Sequence, residues 1–234
     1  MTVDEMIIGV NIGVQKVNSN AFDTYLEEEI EYFLNKAARE YVRRQNIYLK
    51  KDLDEVSRPD LVRQEEAFDN LSTVLVTDVI SSGDISAASG FDNTKTIVKT
   101  NLSSEVFQFA YAQAKVASGS WRACKPISPA EIHFYTKAEY NAPLFRRLPL
   151  LLSGTNILVF FDEESSDITE MMFMYIKSLD RMVKDSPGTG EVTTSELPEH
   201  THDEIVDIAV NMILEDIKSQ RPAEPEQTTI RDEV

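Results

Sequence analysis

The segment from Glu196 to Ile217 limits the possible folds of this 234-residue chain more than any other stretch. Its apolar residues recur at steps of three and four, which places them on one face of an α-helix, and the opposite face is mostly carboxylate. Such a helix needs a partner surface for its apolar face and contains no reactive group of its own. The residues of the apolar face are Ile205, Ile208, Ala209, Met212, Ile213 and Ile217.

Two further amphipathic helices are predicted near the N-terminus. The first spans about 2–17, and Thr2 and Glu5 have the spacing of a capping box at its start. The second spans about 26–48, and we expect it to pack on the first as an antiparallel hairpin. Its apolar face includes Ile30, Phe33, Leu34 and Val42. A third, weaker helix is predicted over 57–70.

The middle of the chain, from 72 to 196, predicts a mainly β lobe. The segments 148–152 and 156–161 flank a turn, which is typical of a β-hairpin. Ser128-Pro129-Ala130-Glu131 has the residues of a helix start and predicts a short helix over 128–140. Strands are also predicted at 73–80, 94–100, 106–116, 121–125 and 168–177. A helix remains the alternative for 106–116 and for 168–177, and the latter strand is expected to be covered on both faces.

These elements predict an α+β fold. We expect a helical bundle formed by the N- and C-terminal helices, an inserted, mainly antiparallel β lobe, and an extended C-terminal tail. The expected divisions are N-terminal helices over 1–71, the β lobe over 72–196, a C-terminal helix over 197–220 that packs on the N-terminal helices, and a flexible tail over 221–234.

The charge of the chain is strongly negative and unevenly distributed. The formal net charge is −17, and residues 162–234 contain nineteen Asp and Glu against six Lys and Arg. A protein that binds nucleic acid freely needs a basic patch to neutralise phosphates, and the sequence shows none. The acidic excess therefore indicates either a soluble surface or a surface that must not adhere to nucleic acid, such as the wall of a channel through which DNA passes.

The sequence predicts no enzymatic site, no bound metal and no cofactor. One cysteine, Cys124, excludes an intramolecular disulfide, and we expect it to be buried, although Lys125 beside it could lower its pKa. His200 and His202 are two positions apart and point in different directions on a helix, so they chelate one ion poorly. His133 is expected to be a packed or surface residue. No basic leader and no apolar run of about 20 residues is present, which predicts a cytoplasmic protein without a membrane partner.

Two blocks at opposite ends of the chain resemble one family. The block from Asn18 to Gln45, a VNSN turn followed by LEEEIEYFLNKAAREYVRRQ, resembles the N-terminal helix pair of structural proteins from crAss-like and other podovirus-type phages. The sequence LPEHTHDEIVDIAVNMILEDIKS, at 197–219, resembles the closing helix of head-to-tail connector proteins, also called adaptor or ring proteins, of tailed bacteriophages. The segments 125–154 and 168–182 are similar to the same group in the same order.

The resemblance implies a structural virion protein without enzymatic activity, made in the host cytoplasm and located at the head-tail junction. Such proteins assemble as a ring, commonly of twelve copies, below the portal protein. They extend the channel through which DNA passes without specific binding, and they contact the next tail or ring protein.

The resemblance also implies that the tail over 221–234 docks to the portal. Ile230 is its only bulky apolar anchor. The residues proposed for this contact are Arg221, Pro222, Pro225, Ile230, Arg231 and Val234. If the tail is the docking element, deleting 221–234 abolishes portal binding and leaves the fold intact.

Three other functions remain open from the sequence. The first is another neck or tail component, such as a more distal ring or a tail hub protein. The second is an acidic protein-binding module that uses the terminal helices as its contact surface. The third is an enzyme, which the absence of a recognisable nucleophile, metal-ligand set or phosphate-binding loop argues against.

Overall fold

The structure is a computed structural model that describes residues 1–17, 25–49, 58–88, 94–117, 119–132, 146–162, 167–184 and 194–220. The described chain forms two compact units. One, the helical unit, comprises 1–43 and 180–234, and the other, the sheet unit, comprises 44–179. The α-helices of the described residues are α1 (Val3–Val17), α2 (Glu27–Leu49), α3 (Arg58–Asn70) and α4 (His202–Gln220).

The sheet unit is built on one eight-stranded sheet. In the order of their pairing its strands are β1-β8-β4-β5-β6-β7-β3-β2. The pairs are antiparallel except for β5 and β6, which run parallel. The strands are β1 (Leu75–Ile80), β2 (Ile85–Ala87), β3 (Thr94–Val98), β4 (Val106–Val116), β5 (Trp121–Pro126), β6 (Leu148–Ser153), β7 (Asn156–Phe160) and β8 (Ile168–Lys177).

The predicted fold class is wrong in its central feature. The chain is a mixed α+β fold organised around a curled eight-stranded sheet, and its helices do not form a terminal helical bundle with a β lobe inserted into it. The main partner of α1 among the described helices is α4, and not α2 as the predicted hairpin required. The amphipathic stripes indicated which helix faces are buried, but such a stripe does not specify the element that covers it.

Several individual elements agree with the sequence. The segments 106–116 and 168–177, for which a helix was the alternative, are the two longest strands. The 148–161 hairpin is present as β6 and β7. The capping box at α1 is formed by hydrogen bonds of 2.8 and 3.3 Å between Thr2 and Glu5. The start of the predicted 128–140 helix is a 3-10 turn, Pro129–Glu131, and its remainder from 133 onward lies outside the described residues.

The curl of the sheet follows from its strand order. β1 and β2 are at opposite ends of the order, yet only Ser81 to Asp84 separate them in sequence. Eight flat strands would place the two edges about 33 Å apart, whereas the five steps from Ile80 to Ile85 span at most about 17 Å. The two edges must therefore approach each other. Accordingly, Ile80 and Ile85 belong to the same hydrophobic core.

The core of the sheet unit lies on the inner face of the curled sheet. Side chains alternate between the two faces along each strand, so every second residue contributes to it. In β8 these residues are Met171, Phe173 and Tyr175, which are fully buried. The partners contributed by β4 and β5 include Phe109, Ala112, Ala114, Val116 and Cys124.

In the helical unit, α1 and α4 run parallel and approach closely. Gly9 faces Val206, and Gly13 faces Val210 one turn further along both helices. A Cβ atom placed on Gly9 would lie 3.3 Å from a methyl carbon of Val206, and one on Gly13 would lie 2.6 Å from a methyl carbon of Val210. The two glycines allow the two helix backbones to come together at this spacing.

The first half of α2 holds an extended segment of the same unit. The Asn35 side chain donates a 2.8 Å hydrogen bond to the Met182 carbonyl oxygen and accepts a 2.9 Å bond from the Met182 amide. One turn earlier, the Glu31 carboxylate accepts a 2.9 Å bond from the Lys184 amide. Two polar residues of this amphipathic helix, Glu31 and Asn35, therefore align the chain at 182–184 along α2.

Candidate interaction surfaces

An apolar surface lies on the outer face of four neighbouring strands. Strand register places Val79 opposite Met172, and Tyr111 opposite Met174. Val79 is 60% exposed, Tyr111 is 43% exposed and Trp121 is 40% exposed, while the two methionines are half-buried. We call these five residues, Val79, Tyr111, Trp121, Met172 and Met174, the sheet patch. Contiguous exposed apolar groups of this kind mark interaction sites more often than scattered ones do.

Polar contacts at the border of the sheet patch fix its side chains. The Lys115 ammonium lies 3.1 Å from the Glu170 carboxylate and 5.9 Å from the centre of the Trp121 ring. The Gln113 amide lies 3.4 Å from the Met172 sulfur. These contacts orient one aromatic ring and one methionine before any partner binds, which lowers the entropy cost of binding.

The sheet patch lies at the uncovered end of this outer face. At the opposite end of the same strands, Asn46 at the end of α2 donates a 2.6 Å hydrogen bond to the Gln108 side chain. Ile176, which register places opposite Gln108, is fully buried. The expectation that 168–177 is covered on both faces therefore holds at this end and is wrong at Met172 and Met174.

A second apolar surface lies on α1 in the helical unit. Ile8 is 57% exposed and Ile12 is 48% exposed, although both belong to a helix whose other face is buried. Residues four apart on a helix are neighbours, so the two side chains form one projection. We call Ile8 and Ile12 the α1 ridge. The 3.6-residue periodicity did not identify them, because it groups the residues that face the core.

The exposed face of α4 is acidic. Its carboxylates alternate with the buried apolar residues, as the sequence predicts. Among the described residues, no Lys or Arg forms an ion pair with the four exposed carboxylates of this face, which are Asp203, Glu204, Asp207 and Glu215. The first two lie in the first turn, where the helix dipole favours negative charge.

The residues predicted to form the helix-packing core are placed as follows. Phe33 is half-buried and packs edge-to-face against Tyr25 and Tyr32, with ring centres 6.1 and 5.6 Å apart. Met212 is also half-buried. The buried residues of this set are Ile30, Leu34, Val42, Ile205, Ile208 and Ala209. The tail residues proposed to bind a partner, Arg221, Pro222, Pro225, Ile230, Arg231 and Val234, lie outside the described residues.

The histidines of the described residues do not converge on a metal site. His202 is buried, and its Nε2 lies 2.9 Å from the Leu197 carbonyl oxygen, whereas His200 is exposed on the preceding turn. Within the described ranges, no three His, Cys, Asp or Glu residues are grouped so that they could hold a metal ion. His133 lies outside the described residues.

Cys124 is inert rather than activated. It is buried on the inner face of β5, as expected, and burial raises its pKa to about 12, so the alternative that Lys125 lowers this pKa does not hold. Because only the thiolate reacts, the folded chain at pH 8 should react with a thiol reagent on the order of a thousandfold more slowly than the unfolded chain. Ellman's reagent with and without denaturant measures the ratio. Equal rates would contradict the burial of this thiol.

A half-buried polar network connects β1, β8 and the segment before β4. The Tyr175 hydroxyl lies 2.9 Å from the Asp78 carboxylate and accepts a 3.0 Å hydrogen bond from the Ser104 amide. The same carboxylate accepts hydrogen bonds of 2.9 and 2.7 Å from the amide and hydroxyl of Ser103. Tyr175 is fully buried, whereas Asp78 is half-buried and Ser103 is exposed, and their hydrogen bonds connect the three segments.

Comparison with known proteins assigns no family to this chain. None of the models of known protein families matches it. None of the curated proteins matches it significantly. Among the described residues, no helix is both long enough and apolar enough to span a membrane.

Proposed function

We propose that this chain is a structural subunit of a ring at the head-to-tail junction of a tailed-phage virion. The observation that supports the proposal best is the presence of two unlike exposed apolar surfaces, the α1 ridge and the sheet patch. Copies that bind head-to-tail through two different surfaces close into a ring when the rotation between them allows it. The resemblance of 18–45 to structural proteins of podovirus-type phages, and of 197–219 to connector proteins, supports a location of this ring below the portal.

In this proposal the acidic excess faces the DNA channel. Like charge on a channel wall disfavours adhesion of the DNA backbone. Asp162, Asp167 and Glu170 form ion pairs with Arg122, Lys95 and Lys115 inside the sheet unit, and Glu199 pairs with the N-terminal amine. The exposed carboxylates of α4 are therefore the described residues that we assign to the channel wall.

The proposed partners are further copies of the chain, the portal protein and the next tail or ring protein. The C-terminal tail over 221–234 is the proposed portal-docking element, with Ile230 as its apolar anchor. The chain provides the channel and the contacts, while no catalytic step and no cofactor are assigned to it.

Native mass spectrometry of the full chain with a purified portal ring encoded by the same genome tests the proposal. We expect a saturable complex with about twelve copies of the chain on each portal ring. The deletion of 221–234 should abolish this complex and leave the circular dichroism spectrum unchanged, because the tail supplies docking contacts only. A variant with the same tail residues in scrambled order is the matched control for the deletion, and it too should fail to bind.

Two results would contradict parts of this proposal. If the full-length chain does not bind the portal ring, even at concentrations well above those at which ring subunits assemble, the proposed function is wrong. If the deletion variant binds as well as the full chain, the tail is not the docking element, and the proposal that the chain forms a ring is unaffected.

A further inference from the structure

We infer that the α1 ridge of one copy docks on the sheet patch of the next copy. This inference rests on the proposed ring and identifies the two surfaces that form its lateral contact. The occupant of the sheet patch is a second copy of this chain, and the contact is heterologous. Each copy therefore contributes its α1 ridge to one neighbour and its sheet patch to the other.

The spacing of the two surfaces matches. Ile8 and Ile12 are one turn apart on α1, which separates them by about 6 Å along the helix. Met172 and Met174 are two residues apart on one face of β8, which separates them by about 6.7 Å. A helix laid along β8 therefore places each isoleucine beside one methionine.

The composition of the sheet patch suits a docked helix. Methionine side chains adapt their shape to an incoming apolar group. Tyrosine and tryptophan are the residue types that most often contribute large binding energies at interfaces. Tyr111 on β4 and, beyond it, Trp121 on β5 lie on one side of the two methionines, and Val79 on β1 lies on the other, so an inserted isoleucine pair would be enclosed on both sides.

Charge favours the same pairing. Residues 1–43 and 180–234, which form the helical unit, carry 22 Asp and Glu against nine Lys and Arg, whereas residues 44–179 carry 18 against 14. On the outer face of β4, β5 and β8 the charged residues are Lys115, Lys125 and Glu170, of which Glu170 pairs with Lys115. A sheet face with a cationic excess is complementary to a strongly acidic helical unit, and two helical units would repel each other.

Paired cysteine variants test the contact directly. Ile12→Cys and Val79→Cys are made in separate chains, mixed at high concentration with and without portal rings, and oxidised. Because Cys124 is buried with a pKa of about 12, it contributes little background. We expect a disulfide-linked dimer in the mixture and little in either variant alone. Dimers of Val79→Cys alone would mean that two sheet patches face each other, and they would overturn the inference.

Charged substitutions provide a second readout. Val79→Glu and Ile12→Glu should each weaken assembly on the portal ring by at least about tenfold, because each places a charge in an apolar contact. Val98→Glu on β3 and Ile47→Glu on α2 are matched controls, since they alter exposed residues of the same types outside the two surfaces. These controls should assemble within about twofold of the unchanged chain.

The failure of this inference is distinguishable from the failure of the proposed function. If copies assemble on the portal ring but the Ile12→Cys and Val79→Cys chains do not cross-link, the inference is wrong and the proposed function as a ring subunit is retained. If the portal ring binds no copies, the proposed function is wrong, and cross-linking of the concentrated chain alone still decides whether these two surfaces meet. Full assembly by Val79→Glu would also overturn the inference.

Discussion

Gly13→Ala is expected to lower the free energy of unfolding of the helical unit by about 1–3 kcal/mol, as overpacking of a tight contact does. The added methyl group would lie 2.6 Å from one methyl carbon of Val210 and 3.4 Å from the other. A helical valine occupies one strongly preferred rotamer, so Val210 cannot rotate away without cost. The helices α1 and α4 would have to separate. Denaturant unfolding followed by circular dichroism at 222 nm measures the change.

The sign of this effect makes the test decisive. In a helix without close neighbours, Gly→Ala stabilises by about 1 kcal/mol through backbone entropy. A more stable Gly13→Ala variant would therefore refute the close contact of α1 and α4. Combining Gly13→Ala with Val210→Ala removes the clash and should recover most of the lost stability. Gly83→Ala is the control, because no atom lies within 4 Å of its added Cβ.

Tyr175→Phe is expected to lower the free energy of unfolding of the sheet unit by about 1–3 kcal/mol. The substitution keeps the ring in the core and removes the hydroxyl that accepts a 3.0 Å hydrogen bond from the Ser104 amide. It also leaves Asp78 without the contact that this hydroxyl makes at 2.9 Å. The half-buried Ser104 amide and the half-buried Asp78 carboxylate then lose a partner together. Fluorescence of Trp121 during denaturant unfolding follows the sheet unit.

The same hydroxyl predicts a loss of stability in alkali. Burial, together with the nearby Asp78, raises the pKa of Tyr175 above the usual value for tyrosine. The unfolded tyrosine releases its proton near pH 10, before the folded one does, so deprotonation favours unfolding above that pH. The contribution of the hydroxyl to stability is therefore complete below about pH 10 and decreases as the pH rises through the folded-state pKa. Tyr175→Phe lacks this dependence, so the stability difference between the two chains should shrink above pH 10.

Tyr111→Phe is the matched control for both measurements. It removes a hydroxyl from a residue that is 43% exposed on β4, and its effect should stay within about 0.5 kcal/mol. If Tyr175→Phe and Tyr111→Phe have equal effects, the network around Asp78 contributes no measurable stability.

Local patterns predicted the strands well because each pattern depends on residues that are close in sequence. The alternation in 168–177 identified β8, and the Ser-Gly-Thr turn at 153–155 identified the β6–β7 hairpin. β2 was missed because its three residues, Ile85 to Ala87, are too few for an alternation to be recognised. The boundaries of α1 and α2 agree within two residues, because capping residues and apolar periodicity act together at those positions.

The arrangement of these elements depends on contacts between residues that are distant in sequence, so local sequence patterns do not predict it. β5 pairs in parallel with β6, which follows about twenty residues later, and this pair joins the two antiparallel parts of the sheet. The helix stripes showed that α1 and α4 bury one face each, yet the in-step contacts of Gly9 with Val206 and Gly13 with Val210 decide their direction. The sheet patch could not be predicted either, because the alternation of β8 does not reveal which part of its outer face remains exposed beyond Asn46.

The pairing of the first and last described helices has a consequence for biosynthesis. The ribosome must add the 184 residues between Val17 and His202 before α4 exists to cover the apolar face of α1. At about 5–20 residues per second, Met6, Ile7 and Val10 remain without their native cover for roughly 10–40 s on every nascent chain. Each growing polypeptide therefore exposes an aggregation-prone face until α4 has been synthesised, and messages that end before codon 202 should yield products that chaperones retain or proteases remove.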